Sequence, residues 1–204
     1  MADHPMLTEL DASMLAEAFP REHLSIATLA AQSVAHTLAP AQWTERFSVW
    51  SEQQAVFIPA RLRFASERLG LTEGDEPFLF ARALQTRSDD GFERQRAARD
   101  LMRDLQPWGA PFVVALIGEY IVEILDDIAA ALTPDNTRTL GDFIIDNAAY
   151  WQTTKRRVAS YWNVYYRANA SSEQRRPYGR NEYIGFKLVE RIEAAISRHR
   201  QAGD

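Results

Sequence analysis

The run APFVVALIGEYIVEILDDIAAAL, residues 110–132, decides what kind of fold this chain has. It is long enough to cross a bilayer, which takes about 20 apolar residues. Glu119, Glu123, Asp126 and Asp127 interrupt it, and each would be costly in hydrocarbon. The run therefore reads as a buried helix over 112–132 in a water-soluble, α-helical protein. Glu119, Glu123 and Asp126 or Asp127 follow each other at helical spacing and would share one face.

Downstream, LTPDNTRT (132–139) reads as a loop. Thr139, with Asp142 three residues on, forms a capping box for a helix running from 140 to about 167. Leu140, Phe143, Ile144, Asn147, Ala148, Trp151, Val158, Trp162 and Tyr165 recur on it at steps of three and four, the signature of a core-facing stripe. The aromatic segment SYWNVYYR (160–167) is thus read mainly as buried ring area. The opposite face carries Gln152, Arg156, Asn163 and Arg167, flanked by Lys155 and Tyr166. The segment that follows adds Arg175, Arg176, Tyr178 and Arg180. A last amphipathic helix is predicted from 180 to 200, with Ile184, Leu188, Ile192 and Ile196 four apart.

Upstream, QPWGAP (106–111) breaks the chain. Before it, residues 78–106 predict a helix with Leu79, Ala83 and Leu84 inward, a turn at Ser88-Asp89-Asp90-Gly91, and a second helix with Phe92, Gln95, Ala98, Leu101, Met102 and Leu105 on its apolar face. This helix, short acidic turn and Arg-bearing helix resembles a HEAT-type α-helical repeat over about 29 residues, with no second copy at a fixed period. The resemblance implies stacked antiparallel helix pairs. Residues 46–64 do not keep helical spacing: two runs rich in Phe, Val, Trp and Ile flank Glu52-Gln53-Gln54, which predicts a β-hairpin near 46–59, the alternative being a helix broken at Ile58-Pro59. Helices at 7–18 and 22–38 complete a single, predominantly all-α domain over 1–204, HEAT-like or an irregular bundle.

Among 204 residues, 46% are hydrophobic and 25% charged, ordinary for a globular chain. With no Cys, disulfides, thiolate metal sites and Cys nucleophiles are all excluded. The acidic, interrupted N-terminus does not resemble a signal peptide, so the cytoplasm is the expected location. Charge is uneven: residues 1–150 hold 12 Lys and Arg against 23 Asp and Glu, whereas 151–204 hold 11 against 5. A basic, aromatic end therefore follows an acidic body.

No Gly-rich phosphate loop, Gly-x-Ser-x-Gly elbow or paired-His motif occurs. Glu119, Glu123, Asp142 and Asp146 could hold a hard cation or serve as acid and base if they converged, but no Glu-x-x-His pair accompanies them. Pairing with arginines such as Arg156 is the reading preferred for them. His4, His23, His36 and His199 are isolated in sequence and read as surface residues, so neither metal nor cofactor is expected. The function expected first is a non-enzymatic protein-interaction or scaffold role, with a protein partner and head-to-tail self-association as the arrangements the charge asymmetry suits. An enzyme or ligand-binding protein using the carboxylates is the alternative. Nucleic-acid binding through the basic aromatic end comes third, since the sequence pI of about 5.5 is far from a nucleic-acid footprint.

Overall fold

A two-residue turn builds the only sheet seen among the described residues. In the computed structural model, which describes residues 10–43, 45–65, 69–167 and 179–203, β1 (Arg46–Ser51) pairs antiparallel with β2 (Gln54–Pro59) from Arg46 opposite Pro59 to Ser51 opposite Gln54. Val49, Val56 and Ile58 point inward and are buried, while Trp50 and Phe57 stay exposed. Glu52 and Gln53 close the hairpin with φ of 46° and 63°. This left-handed pair matches strand twist but normally favours Asn-Gly. The hairpin alternative is thus the one adopted, and Pro59 ends its strand as an edge position allows.

Around the sheet, the chain is mostly α-helical, and it divides into two compact units, residues 1–101 and 102–204. In the first, α1 (Ala12–Ala16) is capped by Asp11, whose carboxylate accepts from Met14 N at 2.9 Å. A 3₁₀ turn at Arg21–His23 leads into α2 (Leu24–Ala35), which turns Ala27, Ala30, Ala31 and Val34 inward against α1 and α3 (Phe78–Gln85). Three alanines on one face let neighbouring backbones come close. The predicted turn at 88–91 leads into α4 (Gly91–Met102). There Asp90 caps the helix, its Oδ1 accepting from Phe92 N and Glu93 N at 2.7 and 3.0 Å.

A polar network lies under that turn. Glu93 is buried, and its carboxylate accepts from Gln85 Nε2 at 2.6 Å and Ser88 Oγ at 2.7 Å. Arg94 donates to the Ser88 carbonyl at 2.7 Å, and Arg87 to the carbonyls of Pro59 and Ala60 at 3.1 and 2.7 Å. Most buried polar groups in folded proteins are satisfied in this way.

In the second unit, a 3₁₀ turn at Pro107–Gly109 opens α5 (Ala110–Ile117), every residue of which is buried. The predicted continuous helix over 112–132 is corrected here: the chain leaves helical geometry after Gly118, Ile121 is extended (ψ 105°), and α6 restarts at Val122–Ala130. The Tyr166 hydroxyl donates to the Tyr120 carbonyl, satisfying a backbone group that the break releases. Among the described residues, no helix is long and apolar enough to cross a membrane.

The helix predicted to begin at 140 starts earlier. In α7 (Pro134–Asp146), Thr133 is the N-cap, its Oγ1 accepting from Asn136 N at 3.1 Å, and Pro134 occupies the first turn, where its missing N–H costs nothing. The proposed Thr139–Asp142 box therefore lies inside the helix. Nor is the helix continuous to 167: Asn147 (φ −124°, ψ 44°) interrupts it, its side chain donating to the Phe143 carbonyl at 2.9 Å, and α8 restarts at Ala148–Tyr161. Ala148, placed on the core stripe by spacing, is exposed as a result. In α9 (Ile184–Gly203), Leu188 and Ile192 are buried and Ile184 and Ile196 half-buried, packed against α6, α7 and α8.

Candidate functional site

The aromatic segment at the end of α8 owes its surface to one extra residue per turn. Trp162–Tyr166 forms a π turn, in which Arg167 N donates to the Trp162 carbonyl five residues back at 2.8 Å. The wider turn shifts the register of the residues within it. Tyr165, predicted to face the core, is 52% exposed, and Tyr166, predicted to flank the polar face, is buried. Both assignments are thereby reversed.

Two ring clusters result. On the buried side Tyr166 stacks on Tyr183 (centroids 5.1 Å apart), Tyr183 meets Phe186 at 5.8 Å, and Phe186 meets Trp162 at 5.6 Å. Burial first, and Tyr166 beside it, push the Tyr183 phenol above its ordinary range. It stays protonated at any physiological pH. Arg167 lies over the Trp162 ring at 5.6 Å and Arg180 over Phe186 at 4.2 Å, so both guanidinium groups rest on aromatic faces. Arg167 also donates to Asn163 Oδ1 at 3.1 Å.

On the outer side, Tyr120, Tyr161 and Tyr165 form a mutual triangle, with centroids 5.4 to 6.0 Å apart. Tyr120 belongs to the break between α5 and α6 and is 44% exposed, and Val164 beside Tyr165 is exposed as well. Large rings held in place by one another at a surface are the material of a contact site.

The predicted carboxylates do not join it. Glu119 is buried in the α5–α6 break, while Glu123, Asp142 and Asp146 are exposed. Because the helix stops at Gly118, Glu119 and Glu123 no longer share a helical face. None of the four belongs to a three-ligand group of metal-sharing geometry among the described residues. Asp126 is raised above the usual carboxylate range by partial burial first and then by Glu123 and Asp127, with Lys187 opposing. Asp142 instead lines an open cavity of about 410 Å³, together with Leu132, Arg138, Ile145, Arg191 and Ile196. Arg191 is engaged there, donating to the carbonyls of Ala129 and Leu132 at 2.9 and 2.8 Å, where it caps the end of α6. Arg156 is exposed. Arg175, Arg176 and Tyr178 lie outside the described residues.

Tyr120 is the residue that spacing missed, because it sits in a run that reads as uninterrupted helix. Its signal is the Gly118-Glu119-Tyr120 step, three residues poor in helix-core character inside an apolar run. The chain matches no protein-family model, and comparison with curated proteins and with solved structures yields no match.

Proposed function

We propose that the chain is a non-enzymatic protein-interaction module of the cytoplasm, built from helix pairs of HEAT-like character, that binds a protein partner through Tyr120, Tyr161 and Tyr165. The observation that supports this reading is the tyrosine triangle, with Tyr120 and Tyr165 exposed and Tyr161 half-buried. Interface cores are enriched in Tyr, Trp and Arg, and a few such residues carry most of the binding energy. Rings already fixed against each other lose little side-chain freedom on binding. The excess of Lys and Arg over 151–204 favours a partner with an acidic surface.

The test is crosslinking and affinity purification from native cells with the full chain and with the Tyr120→Ala/Tyr165→Ala double variant. One stoichiometric protein, recovered by the native chain and lost with the variant, is the expected result. Each ring is expected to contribute about 2 kcal/mol, a roughly 30-fold change in Kd, while the urea midpoint stays nearly unchanged. Equal recovery by both chains would refute the surface. Recovery of a small molecule with no protein would move the function to the carboxylates of α6 and α7.

A further inference from the structure

We propose that Glu22, His23 and Glu52 form a binding site for a zinc-class divalent cation, which clips the hairpin turn to the entrance of α2. The three residues come from two elements. Glu22 and His23 sit in the 3₁₀ turn before α2, and Glu52 opens the turn between β1 and β2. Nε2 of His23 lies 3.1 Å from Glu52 Oε2 and 3.8 Å from Glu22 Oε1, and the three potential ligand atoms are all within 4.8 Å of one another.

Those separations fit a shared ion. With bonds of about 2.1 Å, ligand atoms stand ~3.0 Å apart in octahedral and ~3.4 Å apart in tetrahedral geometry. The His23–Glu52 distance already meets this range, and Glu22, with its side chain 61% exposed, is free to close the remaining gap. His23 and Glu52 are more enclosed, at 26% and 22%. Phe80 holds the imidazole, its ring 5.6 Å from that of His23, and is itself braced by Phe19 at 5.1 Å. The site is therefore positioned on one side and adjustable on the other.

An ordinary His–Glu ion pair accounts for less of this arrangement. The single proton on Nε2 satisfies one carboxylate, yet two carboxylates converge on that nitrogen. A divalent ion neutralises both carboxylates and replaces the proton as the shared centre. One imidazole nitrogen with two carboxylate oxygens suits zinc and its first-row neighbours better than magnesium. The open side at Glu22 leaves room for water to complete the coordination.

The experiment is calorimetric titration of Zn²⁺ into the full chain in a non-coordinating buffer, with Co²⁺ absorption as a spectroscopic check. One site of micromolar order is expected, weakened roughly tenfold or more by His23→Ala and by Glu52→Gln and unchanged by His36→Ala. If His23→Ala does not fold, the Glu22→Gln/Glu52→Gln double variant decides, since it removes only the anionic ligands. Zn²⁺ binding by that variant as tight as by the native chain would overturn the site. So would the absence of native binding at millimolar Zn²⁺. The tyrosine surface lies in the other unit, so failure of either proposal leaves the other standing.

Discussion

The two units solve the problem of a helical interior in opposite ways. Residues 85–94 bring Gln85, Ser88, Glu93 and Arg94 under a turn and satisfy them with one another and with backbone carbonyls. In the second unit, α5 is buried on every side by apolar contact, and the aromatic chain Tyr166–Tyr183–Phe186–Trp162 extends that interior. The first kind of core depends on hydrogen bonds between buried groups and is weakened when one partner is removed. The second depends on volume and fails when an atom is added.

The largest expected effect follows from the first kind. Glu93→Ala leaves the donors of Gln85 and Ser88 buried without an acceptor, and should cost about 3 kcal/mol in urea unfolding of the full chain. A loss below ~1 kcal/mol would show that the network is dispensable and would erase the contrast. The next effect tests the second kind. A Cβ at Gly185 would stand 2.6 Å from Tyr183 Cε1 and 2.9 Å from Val158 Cγ1. Tyr183 is fully buried and has no room to retreat, so Gly185→Ala should cost about 2 kcal/mol by overpacking. A neutral result would mean that this aromatic interior yields more readily than its contacts imply.

The smallest effect concerns a polar link tying α8 to α9. Burial alone would raise the Glu193 carboxyl, but hydrogen bonds from Lys155 (2.7 Å) and Trp151 (3.1 Å) and the Lys155 charge outweigh it and hold it below its ordinary 4.5. A carboxyl depressed in the folded state stabilises above its unfolded pKa, and that contribution fades as pH falls through the folded value. The Tm advantage of the native chain over Glu193→Gln should therefore be constant from pH 7 to about 5 and shrink below about 4.5. Partial exposure keeps it modest. A gap independent of pH would assign the role of Glu193 to shape alone.

Much of the fold was legible because its signals are local. Alternation at Val49, Val56 and Ile58 and the stop at Pro59 mark the hairpin; the Ser88–Gly91 turn separates α3 from α4; the four-residue steps of Leu188 and Ile192 mark α9. What was illegible depends on partners far along the chain. The α5–α6 break is supported by Tyr166 donating to Tyr120, 46 residues away, and periodicity continues across it undisturbed. Pro134 reads as a breaker until Thr133 is seen capping the helix it opens. Near the candidate surface, Asn163 and Arg167 were visible as a polar face, whereas Tyr120 needed the break to bring it to Tyr161 and Tyr165. His23 read as a surface residue because Glu52, the carboxylate that joins it and Glu22, is 29 residues distant.

The π turn at Trp162–Tyr166 gives chain length a hold on surface chemistry. Deleting one residue inside it would let the segment rewind to the α period, rotating its remaining residues by about 100°. Tyr165 and Tyr166 would exchange environments with no change in either ring. At this spot, an insertion or deletion decides which of the two rings meets solvent.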